Sequence, residues 1–397
     1  MKIVRKTPLA WKNLTHDWRR LFVALAGIAF AVLLMFTQVG FQNALFDSQV
    51  KIIDELQGDI FLISKAKYTL AAEKRFPITR LYQARSYPGV QGAYPLYTEL
   101  TTSVLKNLVQ GGRGKDYPIR SIGFYLQDPI FRSEEIKEQL AKLRAPETAL
   151  IDVRSRKNKF PFPMNAPATL AQIPAELARK KISLVGTFHL GTDFAHDGNL
   201  VMSAQNFSTY FPQHQRFGDP LGVVDMGIIH VEPGYDVATI CRGLKKILNR
   251  DILVHTRQQF RDREVQFWDK STPIGVIFNA GKIIGFIVGM VICYQVIYSD
   301  IADHMPEFAT LKAMGYKDMF FVRLIVTEGL LLSLIGFVPG VVASRGLYFF
   351  LTRSTGLLME MPSKSILLVL ALTVIMCVAS GLLAVRKLLK ADPASLF

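Results

Sequence analysis

Apolar residues gather into four long runs along this chain, one near the start and three close together near the end. The first, Leu21 to Gln42, holds no charge, and the last, Ser365 to Val385, is equally uncharged between Lys364 and Arg386. Ile274 to Tyr298 carries only Lys282, and Phe321 to Leu351 carries Arg323, Glu328 and Arg345. A helix needs about 20 apolar residues to cross a hydrocarbon core of about 30 Å, and backbone groups within lipid must be bonded internally. The pattern predicts an α-helical membrane bundle of four transmembrane helices in 1+3 order, with a large α+β domain between the first and second. The expected divisions are an interfacial amphipathic helix at 1–20, spans at 21–42, 273–298, 321–351 and 365–385, and the inserted domain at 43–272. Connections at 299–320 and 352–364 and a tail at 386–397 complete the chain.

Inside the insert the period changes. Phe46 to Leu56 continues the helical pattern of the first span, and Asp59 to Ser64 reads as a strand. Further strands are expected at Gly89–Leu100, Ile119–Leu126 and Ala149–Ser155, with a hairpin around Gly111–Asp116 and a helix near Ser133–Leu143. Phe160 to Pro174 is proline-rich without a period and reads as a loop. Val224 to Thr256 reads strand, turn, helix, strand, a split β-α-β unit with a right-handed crossover. A charged helix from Thr256 to Lys270 is expected to lead directly into the second span, so that the domain stands on two helical stalks.

Charge adds orientation. Lys2, Arg5, Lys6, Lys12, Arg19 and Arg20 face a single Asp17 before the first span, and Arg386, Lys387 and Lys390 follow the last. Both termini are therefore expected in the cytoplasm, with the insert on the opposite side. Trp11, Leu14, Trp18, Leu21 and Leu25 share a helical face and suit a helix lying in the interface, in contact with membrane lipids. The net charge of +15 over 397 residues is spread among span flanks and an insert with interleaved acids, which argues against nucleic acid as a partner. The first run is too long, and lacks the small-residue site, for a cleaved signal peptide.

Catalytic chemistry is not legible. Gly275 to Ile283 has the wrong glycine spacing for a phosphate loop and lies in a span. His189, Asp193, His196 and Asp197 follow no standard ligand spacing, and turn chemistry explains them; no metal, cofactor or catalytic residue is assigned. Cys293 and Cys377 fall in spans and Cys241 stands alone, so no disulfide framework is expected. Gly281, Gly285 and Gly289 form a double GxxxG ridge, and Gly336 and Gly340 repeat the spacing; close helix packing results, either between subunits of a homodimer or within one bundle. Lys282 lies within snorkelling range of the outer interface, whereas Glu328 is deeper and is the intramembrane charge to test.

The connection at 299–320 is the sharpest local feature. A helix is expected from Pro306 to Met314, stopped by Gly315, with Glu307 complementing its positive start. Phe308, Leu311 and Met314, at i, i+3 and i+6, read as one apolar face; with Glu307, Thr310 and Gly315 they form a knob suited to another protein's groove.

Here the chain resembles the FtsX-like, MacB-type permeases of ATP-binding-cassette systems. The resemblance rests on the order of the spans, on EFATLKAMGYKDMFFVRLIVTEGLLLSLIGFVPG and on the ending RKLLKADPASLF. The segment PLAWKNLTHDWRRLFVALAGIAFAVLLMFTQVGFQNALFDS is similar to the cyanobacterial DevC-type branch. DHMPEF (Asp303–Phe308) departs from the family's usual basic residue before an acidic-aliphatic pair. The resemblance implies a bacterial inner-membrane permease subunit of an exporter, not itself an enzyme. It implies a homodimer, a separate cytoplasmic ABC ATPase docked at the 306–315 helix, a periplasmic membrane-fusion adaptor and, through it, a TolC-like outer-membrane channel. The work would pass by mechanotransmission to the periplasmic domain, with a glycolipid or lipid-like cargo. Two alternatives share that lever: activation of a periplasmic hydrolase, and release of lipoproteins.

Overall fold

A computed structural model describes residues 18–108, 117–156, 159–193, 195–248, 250–355 and 359–389. The interfacial face around Trp11, the hairpin expected at Gly111–Asp116 and the C-terminal ending lie outside them. The chain divides into two compact units, one of residues 1–44, 273–354 and 359–397 and the other of 45–272 and 355–358.

Among the described residues, the first unit contains four helices long and apolar enough to cross a membrane. They lie within α1 (Trp18–Glu55), α8 (Pro273–Asp303), α10 (Asp318–Thr355) and α11 (Ser363–Leu389). Their shared core includes Ala31, Val32, Met35 and Phe36 of α1, Cys293 of α8, and Val369, Met376 and Cys377 of α11. Tyr348 Oη of α10 donates to the Phe36 carbonyl at 2.5 Å, which satisfies a buried hydroxyl. A short helix, α9 (Met305–Ala313), connects α8 to α10.

The second unit is an α+β domain. Its strands are β1 (Ile60–Ser64), β2 (Phe76–Pro77), β3 (Val90–Glu99), β4 (Val104–Asn107), β5 (Tyr117–Pro118), β6 (Arg120–Phe124), β7 (Thr148–Asp152), β8 (Ala175–Leu177), β9 (Lys180–Phe188), β10 (Asn199–Ser203), β11 (Val223–Val224), β12 (Met226–Val231) and β13 (Ile252–Thr256). Eleven of them form one sheet in the order β13-β1-β12-β3-β6-β10-β7-β9-β8-β4-β5, and β11 pairs with β2 separately. Side chains alternate between faces every second residue, and β1 shows the result: Ile60 and Leu62 enter one apolar core, Phe61 and Ile63 another. Val50, Ile53 and Leu56 of the last turns of α1 pack into that second core.

β12 and β13 each run antiparallel to β1, which lies between them, and are therefore parallel to each other. The helix that joins them, α6 (Val237–Ile247), begins at Asp236, whose carboxylate accepts from the Ala238 and Thr239 amides. This is the split β-α-β unit expected from the sequence. The expected helix near Ser133–Leu143 is instead a short helix, α3 (Glu134–Lys137), followed by a 3-10 turn (Leu140–Arg144).

The final helix of this unit, α7 (Arg257–Lys270), opens with a capping box between Thr256 and Gln259. Its first turns are tied to the end of α1. Arg257 Nη1 donates to the Ile53 carbonyl at 2.7 Å, and Nη2 donates to those of Leu56 at 2.7 Å and Gly58 at 2.6 Å. The Ile53 carbonyl is one that a helix end leaves without a partner of its own, and those of Leu56 and Gly58 belong to the turn that follows it. Arg261 forms ion pairs with Asp47, at 3.0 Å, and Asp54. α7 does not run directly into the next helix as the sequence suggested: it caps at Ser271, and α8 starts afresh at Pro273. Proline lacks the N–H that a continuing helix needs and suits a first position.

Candidate functional site

The helix expected to dock a partner is present as α9, with Pro306 in its first turn beside Glu307. It ends in a Schellman motif: the Tyr316 amide bonds Leu311 O at 3.2 Å and the Gly315 amide bonds Lys312 O at 3.0 Å, with Gly315 at φ +94°. A left-handed residue is needed there, and glycine adopts it without a Cβ penalty.

The apolar face is not where the spacing put it. Phe308 is only 5% exposed and meets Phe321 of α10 edge-on, with ring centroids 5.7 Å apart. Leu311 is half-buried, whereas Met314 is 64% exposed. At 3.6 residues per turn, positions six apart are rotated by about 120°, so Phe308 and Met314 cannot share a face. The outward surface is formed by Glu307, Thr310, Met314 and Gly315, joined by Tyr316 and Met319, which the sequence reading missed. The sequence did hold a signal for it: Gly315 ends the helix, so the following residues turn outward instead of continuing its face. Lys312 and Asp318 close this turn with an ion pair at 3.5 Å.

The glycine ridges meet α1. A Cβ added to Gly281 would lie 2.5 Å from Gln38 Cδ, and one on Gly289 would lie 2.7 Å from the Ala31 Cβ and against Met376 Sδ. Gly285 faces Leu34 and Met35 at ordinary contact distance. A Cβ on Gly336 would lie 2.7 Å from Ile28 Cγ2, and one on Gly340 2.6 Å from Val32 Cγ1. Both ridges are filled by helices of the same chain, α1 throughout and Met376 of α11 beside Gly289, so of the two expectations the contacts are those of packing within one bundle. Lys282 Nζ donates to Gln42 Oε1 at 2.7 Å. Glu328 is buried within the unit. Cys293 and Cys377 face each other across α8 and α11 with sulfurs 3.4 Å apart.

In the inserted domain the His/Asp segment joins a buried polar network. Arg120 Nη1 bonds Asp193 Oδ2 at 3.1 Å and Arg120 Nε bonds Asn199 Oδ1 at 2.8 Å; Asn199 Nδ2 reaches Asp152 Oδ2 at 2.7 Å. His196 Nδ1 lies 2.6 Å from Asp193 Oδ1. Burial, then the neighbouring Arg120 charge, push the His196 imidazole below its usual range. Burial opposes ionisation of Asp193, but His196 and Arg120 outweigh it and hold the carboxyl below its ordinary value. His189 pairs instead with Glu135 at 3.0 Å, and Asp197 with Arg156 at 3.1 Å. Among the described residues no group of three or more His, Cys, Asp or Glu side chains is disposed to hold a metal. The network anchors the 189–199 loop to β6, β7 and β10.

A second buried cluster joins β3 to the segments beside it. Glu99 accepts from Thr102 Oγ1 at 2.8 Å, Arg75 Nη2 at 2.6 Å and His214 Nε2 at 3.3 Å. Burial opposes its ionisation, yet the hydrogen bonds from His214 and then Thr102 hold the carboxyl at about 2.

No curated protein matches the chain. The crystal structure of the periplasmic region of MacB from Actinobacillus actinomycetemcomitans is similar over 52% of this chain and 92% of its own, at 8% identity and a TM-score of 0.35. The extracellular domain of the noncanonic ABC-type transporter YknZ from Gram-positive bacteria is similar over 50% of this chain and 98% of its own, at 11% identity and a TM-score of 0.29. Both scores are too low to assign the fold. From within α8 to beyond α11, residues 280–393 match the family of the FtsX-like permease C-terminal domain.

Proposed function

We propose that this chain is the membrane subunit of an ABC-type exporter, driven by a separate cytoplasmic ATPase. The family match over residues 280–393 is the observation that carries this reading. The four membrane-length helices agree with it. In this reading the ATPase grips the outward surface of α9 and the turn after it, chiefly Met314, Tyr316 and Met319 with Glu307 and Thr310 at the rim. The termini and this turn face the cytoplasm, and the inserted domain faces the periplasm. Closure of the ATPase in a homodimer displaces the spans, and α1 and α7 relay that motion to the periplasmic domains. A periplasmic adaptor and outer-membrane channel then receive a glycolipid or other lipid-like cargo.

Co-purification tests the core of the reading. With its genomic-neighbour ATPase, the wild-type chain is expected to form a complex that hydrolyses ATP, and Met314→Asp to lose it without loss of folding. Full ATPase binding by Met314→Asp and by Tyr316→Asp would remove α9 and its following turn from the docking surface. Hydrolysis of ATP by the purified chain alone would overturn the division of labour.

A further inference from the structure

The segment between β1 and β2 is strapped to the last turns of α7. The buried Glu264 carboxylate accepts from the Leu70 amide at 3.1 Å, from Trp268 Nε1 at 3.0 Å and from Thr69 Oγ1. Arg263 Nη2 donates to the Lys67 carbonyl at 2.6 Å. Lys67 and Thr69 turn inward under these ties, while Lys65 and Tyr68 turn outward, Tyr68 with 58% of its surface exposed. Tyr68 meets Phe267 at 5.6 Å between centroids, and Phe267 meets Trp268 edge-on at 5.6 Å. Lys270 is exposed at the end of the same helix.

A single exposed aromatic is ordinary on a protein surface. Here a buried acid holds the half-buried Trp268 and the strap that carries exposed Tyr68, with half-buried Phe267 between the two rings, and their place along the chain is informative. Trp268 precedes Pro273, the first residue of a membrane-length helix, by five residues, a stretch that reaches about 17 Å at most. Tyrosine and tryptophan rings settle at the headgroup level of a bilayer, and cationic side chains beside them meet lipid phosphates.

We propose that Tyr68, Phe267 and Trp268, flanked by Lys65 and Lys270, form a phospholipid-headgroup contact built into the inserted domain. The ligand is the headgroup layer itself: phosphate oxygens accept from the two ammonium groups and the Tyr68 hydroxyl, and the rings lie among glycerol and upper acyl carbons. Glu264 is a positioning residue that holds the strap against α7. The proposal requires that α8 cross a membrane; it does not depend on an ATPase partner or on export.

The test uses the full chain in lipid nanodiscs and tryptophan fluorescence. One variant keeps only Trp268 (Trp11→Phe, Trp18→Phe). A second replaces all three native tryptophans by Phe and carries Tyr68→Trp. Nitroxide on the lipid headgroup is expected to lower emission from both probes at least about twofold, and nitroxide at the acyl-chain end to quench less. Adding Glu264→Ala is expected to reduce headgroup quenching at position 68, and a near-ultraviolet dichroism spectrum like that of the parent excludes global unfolding as the cause. Lys65→Glu with Lys270→Glu is expected to weaken headgroup quenching in anionic nanodiscs. Emission from Tyr68→Trp that headgroup nitroxide leaves unchanged, while aqueous iodide quenches it freely, would overturn the proposal. So would quenching that is strongest at the acyl-chain end.

Discussion

Replacing Phe308 by alanine separates a packing residue from a docking residue on the same short helix. The ring is almost wholly enclosed and meets Phe321 edge-on, with the His304 ring centroid 6.5 Å away. Removing a buried phenyl ring costs about 3–5 kcal/mol, from lost transfer energy and the cavity left behind. The edge-on pair contributes about 0.5–1.5 kcal/mol of that. Some relaxation is available because α9 is only nine residues long, so the low end, about 3 kcal/mol, is the expected loss. Met314→Ala removes a side chain that is mostly in solvent and should change stability by less than about 0.5 kcal/mol. Thermal unfolding of the purified variants, with capture of the ATPase in parallel, reads both quantities. Phe308→Ala should melt well below the wild type, and any loss of capture should follow from its lost structure. Met314→Asp should melt normally and fail in capture. The reasoning is refuted if Phe308→Ala melts like the wild type, because the ring would then not be packed as described.

Other substitutions test separate parts of the structure. Arg257→Ala leaves three carbonyls without their donor and should cost about 2–4 kcal/mol in denaturant unfolding of the inserted domain, with Lys at this position recovering only part. Glu99 sits at about 2 when folded against an ordinary 4.5, so it contributes stability above about pH 4.5 that is lost as pH falls towards 2. That contribution is about 3 kcal/mol, and Glu99→Gln should flatten the acid limb of the stability profile by that order. Gly340→Val should reduce the yield of folded protein by driving a branched side chain into Val32 of α1, whereas Gly346→Ala, with open space around it, should be neutral. A lipid-permeable thiol oxidant should join Cys293 to Cys377 within one chain, detected by mass spectrometry and absent in Cys377→Ser.

The four membrane-length helices were legible because charge is excluded from lipid, and runs such as Leu21–Gln42 are both uncharged and long enough to cross a bilayer. β1 and the β12-α6-β13 unit were legible from alternation and capping, both local signals. Sheet order was not: β6 pairs in parallel with β10, joining Arg120 to Asn199, and such pairings depend on contacts that no short window contains. The glycine spacing announced close packing without naming its partner, since GxxxG states only that a backbone approaches. The error at Phe308 has a plain cause. Three apolar residues at intervals of three drift around a helix by about 60° at each step, so the ends of the series face differently. The strap at Thr69 had no sequence signal, because its anchor, Glu264, lies 195 residues away.

The grip of Arg257 and Arg261 on the last turns of α1 has a mechanical consequence. Two rods that leave a domain independently can twist or slide past one another, and a pull on either is then dissipated locally. Pinned through backbone oxygens and two carboxylates, they share a fixed pivot at that end. A load placed on either helix end would therefore be shared with its twin before it reached the sheet.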